Sequence, residues 1–264
     1  MNEDERFAMD KPTVTLRNVV LGQGRQKILA SIIGKTSDEI RDQARTIVAC
    51  PVDIVEWRID WYDGAFDADQ CVKQAREICE GIGSKALLAT FRTQAEGGEK
   101  ALDQQAYKAL NVSLIEDGCV DAIDLELSQG NALFGELVAK AHEKGVKVFG
   151  SSHDFDGTPA KEEIIARLCA MQDLGADVLK IAVMPQCRAD VVKLIDTTRE
   201  MYEDHARQPL ITMAMGSQGM VTRLVGESYG SAATFGAAAA VSAPGQISVD
   251  DLKTVLDIVH AGLS

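Results

Sequence analysis

Short runs rich in β-branched and aliphatic residues alternate along this chain with longer stretches in which apolar residues recur at every third or fourth position. An apolar run or a period of two marks a strand, and recurrence at three and four marks an amphipathic helix. The pattern predicts strands over residues 28–34, 53–60, 86–92, 122–127, 147–153, 178–184, 209–215 and 233–237. It predicts helices between them, among them 38–49, 68–81, 132–144 and 159–174, with a last helix over 248–262. Eight βα units in roughly 250 residues is the size of a (β/α)8 barrel, and regular alternation implies right-handed crossovers and a parallel sheet. Ahead of the first unit, residues 13–21 and 25–27 flank the turn Gly22-Gln23-Gly24, which predicts an N-terminal β-hairpin closing the barrel floor. The expected fold class is therefore α/β, a (β/α)8 TIM barrel, with residues 1–12 a flexible extension and 13–264 a single domain. A doubly wound open sheet competes, but its fingerprints are missing. Gly22-x-Gly24 has no third glycine and no following helix, and Met215-Gly-Ser-Gln-Gly219 fits neither a dinucleotide turn nor a phosphate loop.

Composition narrows the classes of function. The 264 residues carry a formal charge of -13, so the mean field repels nucleic acid and anionic membrane, and an anionic ligand needs local arginines. Met1 to Lys11 are mostly polar, unlike the apolar core of a secretory signal, and no run approaches the ~18 apolar residues that span a bilayer. The expectation is a cytoplasmic protein. The six cysteines show no C-x-x-C pair and no histidine at metal-ligand spacing, so they are read as core packing, with neither disulfides nor bound metal expected.

Alternate side chains of a barrel strand face the axis and the helix layer. In the sixth strand Leu179, Ile181 and Val183 suit the helix layer, which turns Lys180, Ala182 and Met184 inward. Burial disfavours the ammonium form of a lysine and so favours a free amine able to condense with a carbonyl. The same residue reads equally well as half of an ion pair with a barrel carboxylate. The fifth strand sends Phe149, Ser151 and His153 one way, with His153 at the carboxyl end, where barrel enzymes place their chemistry. The second strand puts Glu56 and Arg58 on the inner face, either as a local ion pair or as ligand contacts, and the third ends in Arg92. Two arginines there suggest a local positive potential able to grip a carboxylate.

Five blocks then become recognisable: Asp53-Ile-Val-Glu-Trp-Arg-Ile-Asp60, Phe91-Arg-Thr-Gln-Ala-Glu-Gly-Gly-Glu99, Ser151-Ser-His-Asp-Phe155, Lys180-Ile-Ala-Val-Met184, and Phe235-Gly with Ser242-Ala-Pro-Gly-Gln246. On these the chain resembles the type I 3-dehydroquinate dehydratases over residues 13–263. The resemblance implies a shikimate-pathway enzyme that removes water from 3-dehydroquinate through a lysine Schiff base, with no metal or organic cofactor, working as a homodimer. It places the Schiff-base lysine at Lys180, the acid/base histidine at His153 and its orienting glutamate at Glu96. It places substrate contacts at Ser31, Glu56, Arg58, Arg92, Arg223, Ser242 and Gln246, apolar lining at Met213, Met215 and Phe235, and a mobile lid over 235–246. Trp57 and Ser152 depart from the family pattern, both with outward parity. Two rival readings stay open at this stage. One is another Schiff-base barrel such as an aldolase on a sugar phosphate, which needs a phosphate site of backbone amides after strands seven and eight. The other is a barrel that binds a ligand without turning it over.

Overall fold

The computed structural model describes residues 13–263, so the expected extension over 1–12 lies outside the described residues. A hairpin of β1 (Val14–Leu16) and β2 (Val19–Leu21) precedes eight parallel strands. These are β3 (Lys27–Ile32), β4 (Ile54–Arg58), β5 (Ala86–Thr90), β6 (Ala122–Glu126), β7 (Lys147–Asp154), β8 (Val178–Val183), β9 (Leu210–Ala214) and β10 (Ala233–Phe235). They run in chain order around the sheet, and β10 pairs back onto β3. The remaining seam, between β9 and β10, is stitched by the Ala232 amide donating to the Leu210 carbonyl at 2.7 Å and by a bridge from Leu210 to Ser231. The strands thus form the expected (β/α)8 barrel. Helices α1 (Ser37–Val48), α2 (Ala68–Ile82), α3 (Gln104–Asp117), α4 (Asn131–Glu143), α5 (Lys161–Asp173), α6 (Arg188–Glu200), the short α7 (Met220–Leu224) and α8 (Val249–Leu263) follow the strands in turn. Side chains of Thr36, Asp67 and Asp103 cap α1, α2 and α3 by accepting from amides of the first turn, which fixes where each helix begins. None of the helices among the described residues is long and apolar enough to cross a membrane.

The period of two sorts the core into an inner column and an outer shell. Leu179, Ile181 and Val183 of β8 join Val55, Trp57 and Ile59 in the shell beneath the helices. Phe149, Val178, Ala182, Ile54 and Leu88 face the axis. At the amino-terminal end of the strands, Val14, Leu16, Val19 and Leu21 of the hairpin pack against this inner column and stop the floor with apolar side chains. Trp57 lies in the shell against Tyr62, and Ser152 accepts from Arg167 on the outside, as their outward parity requires.

Two local expectations are corrected. The hairpin turns at Arg17-Asn18, because Leu16 pairs with Val19, and the predicted turn at Gly22 to Gly24 is instead the bend from hairpin to barrel. Arg17 occupies a positive φ of 51°, an uncommon conformation for its residue type. It is held there by Asp121 at 2.9 Å and by the Gly83 carbonyl at 2.6 Å. The turn is therefore set by contacts distant in sequence rather than by glycine. The cysteines are not uniformly core: Cys71 is buried, four are half-buried and Cys187 is exposed, all free thiols.

Candidate active site

The carboxyl-end segments of the strands turn a dense set of polar side chains onto the axis, directly above the apolar column. Register places Ser151 opposite Lys180 and His153 opposite Ala182, so His153 stands one inward layer above the lysine on the neighbouring strand. Lys180 is buried, and its Nζ donates to Asp124 Oδ2 at 3.1 Å and lies 3.7 Å from Glu56 Oε1. Its ammonium also lies over the Phe235 ring, 4.8 Å from the centroid. Of the two readings of this lysine the ion pair is formed, and it is formed inside the candidate site.

His153 is oriented from a loop. After β5 the chain makes a short 3₁₀ turn, Gln94–Glu96, followed by Gly97 at φ 83°. A side chain at Gly97 would put its Cβ 2.2 Å from the Phe155 ring, so the close approach of this loop to β7 requires glycine. The approach brings Glu96 Oε2 to 3.0 Å from the His153 backbone amide and 2.9 Å from ring Nδ1. With the carboxylate ionised, Nδ1 donates to it and Nε2 remains as the basic nitrogen of a ring lining the cavity. Burial, aided by the charges of Arg92, Lys180 and Arg58, holds the imidazole well below its ordinary range and therefore neutral. Burial also pushes Glu96 up to about 7, with Glu126 and Asp124 adding to the rise and Arg92 and Ser128 opposing it.

The arginines differ sharply in partners. Arg92 donates to Asp124 at 2.8 Å, Glu126 at 2.9 Å and Ser151 Oγ at 3.0 Å. Burial opposes its charge, but the carboxylates of Asp124, Glu126, Glu96 and Glu56 outweigh it and keep the guanidinium ionised. Arg58 grips Asp60 with two bonds of 2.8 and 2.7 Å. The local Glu56–Arg58 pair expected as one alternative is not formed: β4 curls at its end into a 3₁₀ turn that swings buried Asp60 under Arg58. Glu56 instead accepts from Ser31 Oγ at 2.5 Å and Thr90 Oγ1 at 3.0 Å. The positive potential foreseen for Arg58 and Arg92 is thus neutralised in place.

Arg223 has no acidic partner among the described residues. It is fully buried, and its contacts are the Phe235 carbonyl at 3.4 Å, Met213 Sδ at 3.5 Å and the Pro244 carbonyl at 3.3 Å. Its Nε finds no acceptor, and burial pulls the guanidinium down to about 10. The segment over the mouth is anchored where Ala237 bridges Ser248, and Ser242 links to Ser31 Oγ at 3.0 Å and, through its amide, to Gln246 Oε1 at 3.0 Å.

These groups enclose a cavity of about 140 Å³, room for a single small ring. The expected residues Glu56, Arg58, Arg92, Glu96, His153, Lys180, Met213, Met215, Arg223, Phe235, Ser242 and Gln246 all line it, and Ser31 stands behind Glu56 and Ser242 without reaching it. Sequence reasoning missed Asp124, Glu126 and Asp60, which hold the cations. The signal for the first two was present, since parity over Ala122–Glu126 turns Ala, Asp and Glu inward with Ile and Leu outward.

An uncommitted guanidinium, a buried lysine and a carboxylate-held neutral imidazole around one small chamber suit covalent carbonyl chemistry on an anionic ring. Residues 28–262 match the family model described as type I 3-dehydroquinase. The chain is 49% identical over 248 residues to the 3-dehydroquinate dehydratase of Salmonella agona (strain SL483), covering 94% of this chain and 98% of that protein. Among solved structures it is similar to the type I 3-dehydroquinate dehydratase of Clostridium difficile with covalently modified comenic acid, at 45% identity and a TM-score of 0.92 over 96% of this chain and 99% of that one. The enzyme of Geobacillus kaustophilus HTA426 is similar at 33% identity and a TM-score of 0.92, covering 95% of this chain and 97% of that one.

Proposed function

The chain belongs to the type I 3-dehydroquinase family of hydro-lyases, and we propose that it is a 3-dehydroquinate dehydratase that forms a Schiff base on Lys180 and eliminates water in the syn sense. The observation that carries this reading is the cavity itself, where Lys180 and His153 face Arg223, a buried cation without an anion among the described residues. The substrate carboxylate supplies that anion, with Gln246 and Ser242 beside it. Glu56, Arg58 and Arg92 address the ring hydroxyls.

Lys180 enters as an ammonium balanced by Asp124 and Glu56, so Nζ passes a proton to His153 Nε2 before the nitrogen attacks the ketone carbon, and His153 returns it to the carbinolamine hydroxyl as that leaves. The carbinolamine then loses water to give a protonated imine. That imine withdraws electrons from the neighbouring carbon, His153 Nε2 removes its proton, and the resulting enamine expels the ring hydroxyl. The proton carried by His153 goes to the departing oxygen on the same face, and one water hydrolyses the imine. The balance is one water lost per turnover. Closure of the segment over 235–246 excludes bulk water during these steps. The same reading extends to a cytoplasmic homodimer in the shikimate route to chorismate and the aromatic amino acids.

The test combines an ultraviolet assay for the conjugated enone with borohydride trapping. Product absorbance should rise on adding 3-dehydroquinate, and borohydride with substrate should leave a mass increment on Lys180. A Lys180→Met protein that turns over normally would sink the proposal.

A further inference from the structure

We propose that Ser128 is a positioning residue for the acid/base pair, its hydroxyl fixing the outer oxygen of Glu96 so that the inner oxygen stays on the His153 ring. This rests on the dehydratase reading. Ser128 lies in the 3₁₀ turn Leu127–Gln129 that leaves β6, and its Oγ donates to Glu96 Oε1 at 2.5 Å. The other oxygen, Oε2, takes both the amide and the ring nitrogen of His153. The two oxygens of one carboxylate are thus addressed from opposite sides, which fixes its plane and with it the direction of the imidazole.

The side from which Ser128 acts is not the substrate side. A second cleft of about 560 Å³ opens behind the site, lined by Ser128, Glu96, His153, Phe155 and Arg167. Glu96, Gly97, His153 and Phe155 border both spaces, and the Phe155 ring packed on Gly97 forms part of the wall between them. Buried Glu96 therefore has one oxygen bonded to the histidine and the other to Ser128, an exposed residue on the rear side.

The charged groups around the Glu96–His153 pair come from every neighbouring element. Arg92 follows β5, Asp124 and Glu126 lie on β6, Asp154 with His153 on β7, Lys180 on β8, Arg58 on β4, and Arg167 on α5 across the rear cleft. Burial lifts the carboxyl to about 7, and the Ser128 hydroxyl and Arg92 are what oppose that rise. The sign follows. With Ser128 donating to Oε1, the proton goes to Oε2 and Glu96 becomes the donor to Nδ1, so the imidazole takes the tautomer with hydrogen on Nε2 and the ring stops being a base toward the cavity. Loss of the hydroxyl raises the pH at which this happens.

Ser128→Ala should move the acid limb of the kcat profile upward by about half to one pH unit, a loss of about three- to tenfold at pH 6, with a far smaller loss on the alkaline plateau and little change in KM. Ser128→Thr, which keeps the hydroxyl, should return the limb to its original place. In the unliganded protein, nitrogen chemical shifts of the His153 ring should report the same upward displacement in Ser128→Ala. An unmoved limb and unmoved ring titration, a uniform loss at all pH, or a threonine variant as impaired as alanine would each overturn the role. Because the ring titration needs no substrate, it judges the clamp even for a wild-type protein that fails to dehydrate 3-dehydroquinate, which would refute the dehydratase reading alone.

Discussion

The two halves of the cavity wall treat positive charge in opposite ways. On the β4–β6 side Arg58 and Arg92 are charge-paired: Asp60 takes the first, and Asp124, Glu126 and Ser151 take the second, all at hydrogen-bonding distance. On the α7 and β10 side Arg223 is just as deeply buried and, among the described residues, donates only to carbonyls and a sulfur. A charge taken out of water without a counter-ion is costly, so one half is finished in the free protein and the other awaits an anion. Under the proposed function, the finished half is a rigid template for hydroxyls and for the acid/base pair, and the unfinished half is where binding energy is gained.

The largest effect expected lies where the halves meet. His153→Ala should lower kcat by about 10²- to 10⁴-fold while substrate affinity changes little, because a proton carrier acts in the transition state. A fall in affinity alone, measured by steady-state kinetics and a binding titration, would make His153 a ligand contact and erase the junction. Next, Arg92→Met strips Glu126 of its cation and leaves Asp124 with Lys180 alone, and should cost about 3–5 kcal/mol of folding stability, read as a lowered denaturation midpoint. Arg223→Met should do the reverse to the fold, raising stability by ~1 kcal/mol, while kcat/KM drops roughly 10²-fold as the carboxylate loses its partner. If both methionine variants destabilise the free protein equally, the contrast between the halves fails.

Much of this was legible in the chain. Parity alone turned Lys180 and His153 to the axis, because a strand's period of two leaves no other choice once Leu179, Ile181 and Val183 claim the helix layer. The same parity over β6 exposes Asp124 and Glu126, and their importance emerges only with the distances to Lys180 and Arg92. Glu96 and Arg223 stand outside the strands, in a 3₁₀ turn and in α7, so periodicity is silent about them and only the family resemblance located them. The hairpin turn was misplaced because glycines are strong local signals, whereas Arg17 is held by Asp121 and Gly83, far away in sequence. Arg58 pairs with Asp60 rather than Glu56 because a strand ended in a tight turn, which no alternation of residue types announces.

The hairpin beneath the barrel has a bearing on traffic. Val14, Leu16, Val19 and Leu21 stop the lower end, so the chamber is a cul-de-sac for anything the size of a sugar ring. Whatever enters past Ser242 and Pro244 has to leave by the same door. Newly made product and incoming substrate are therefore mutually exclusive guests, and each turnover queues behind the departure of the last.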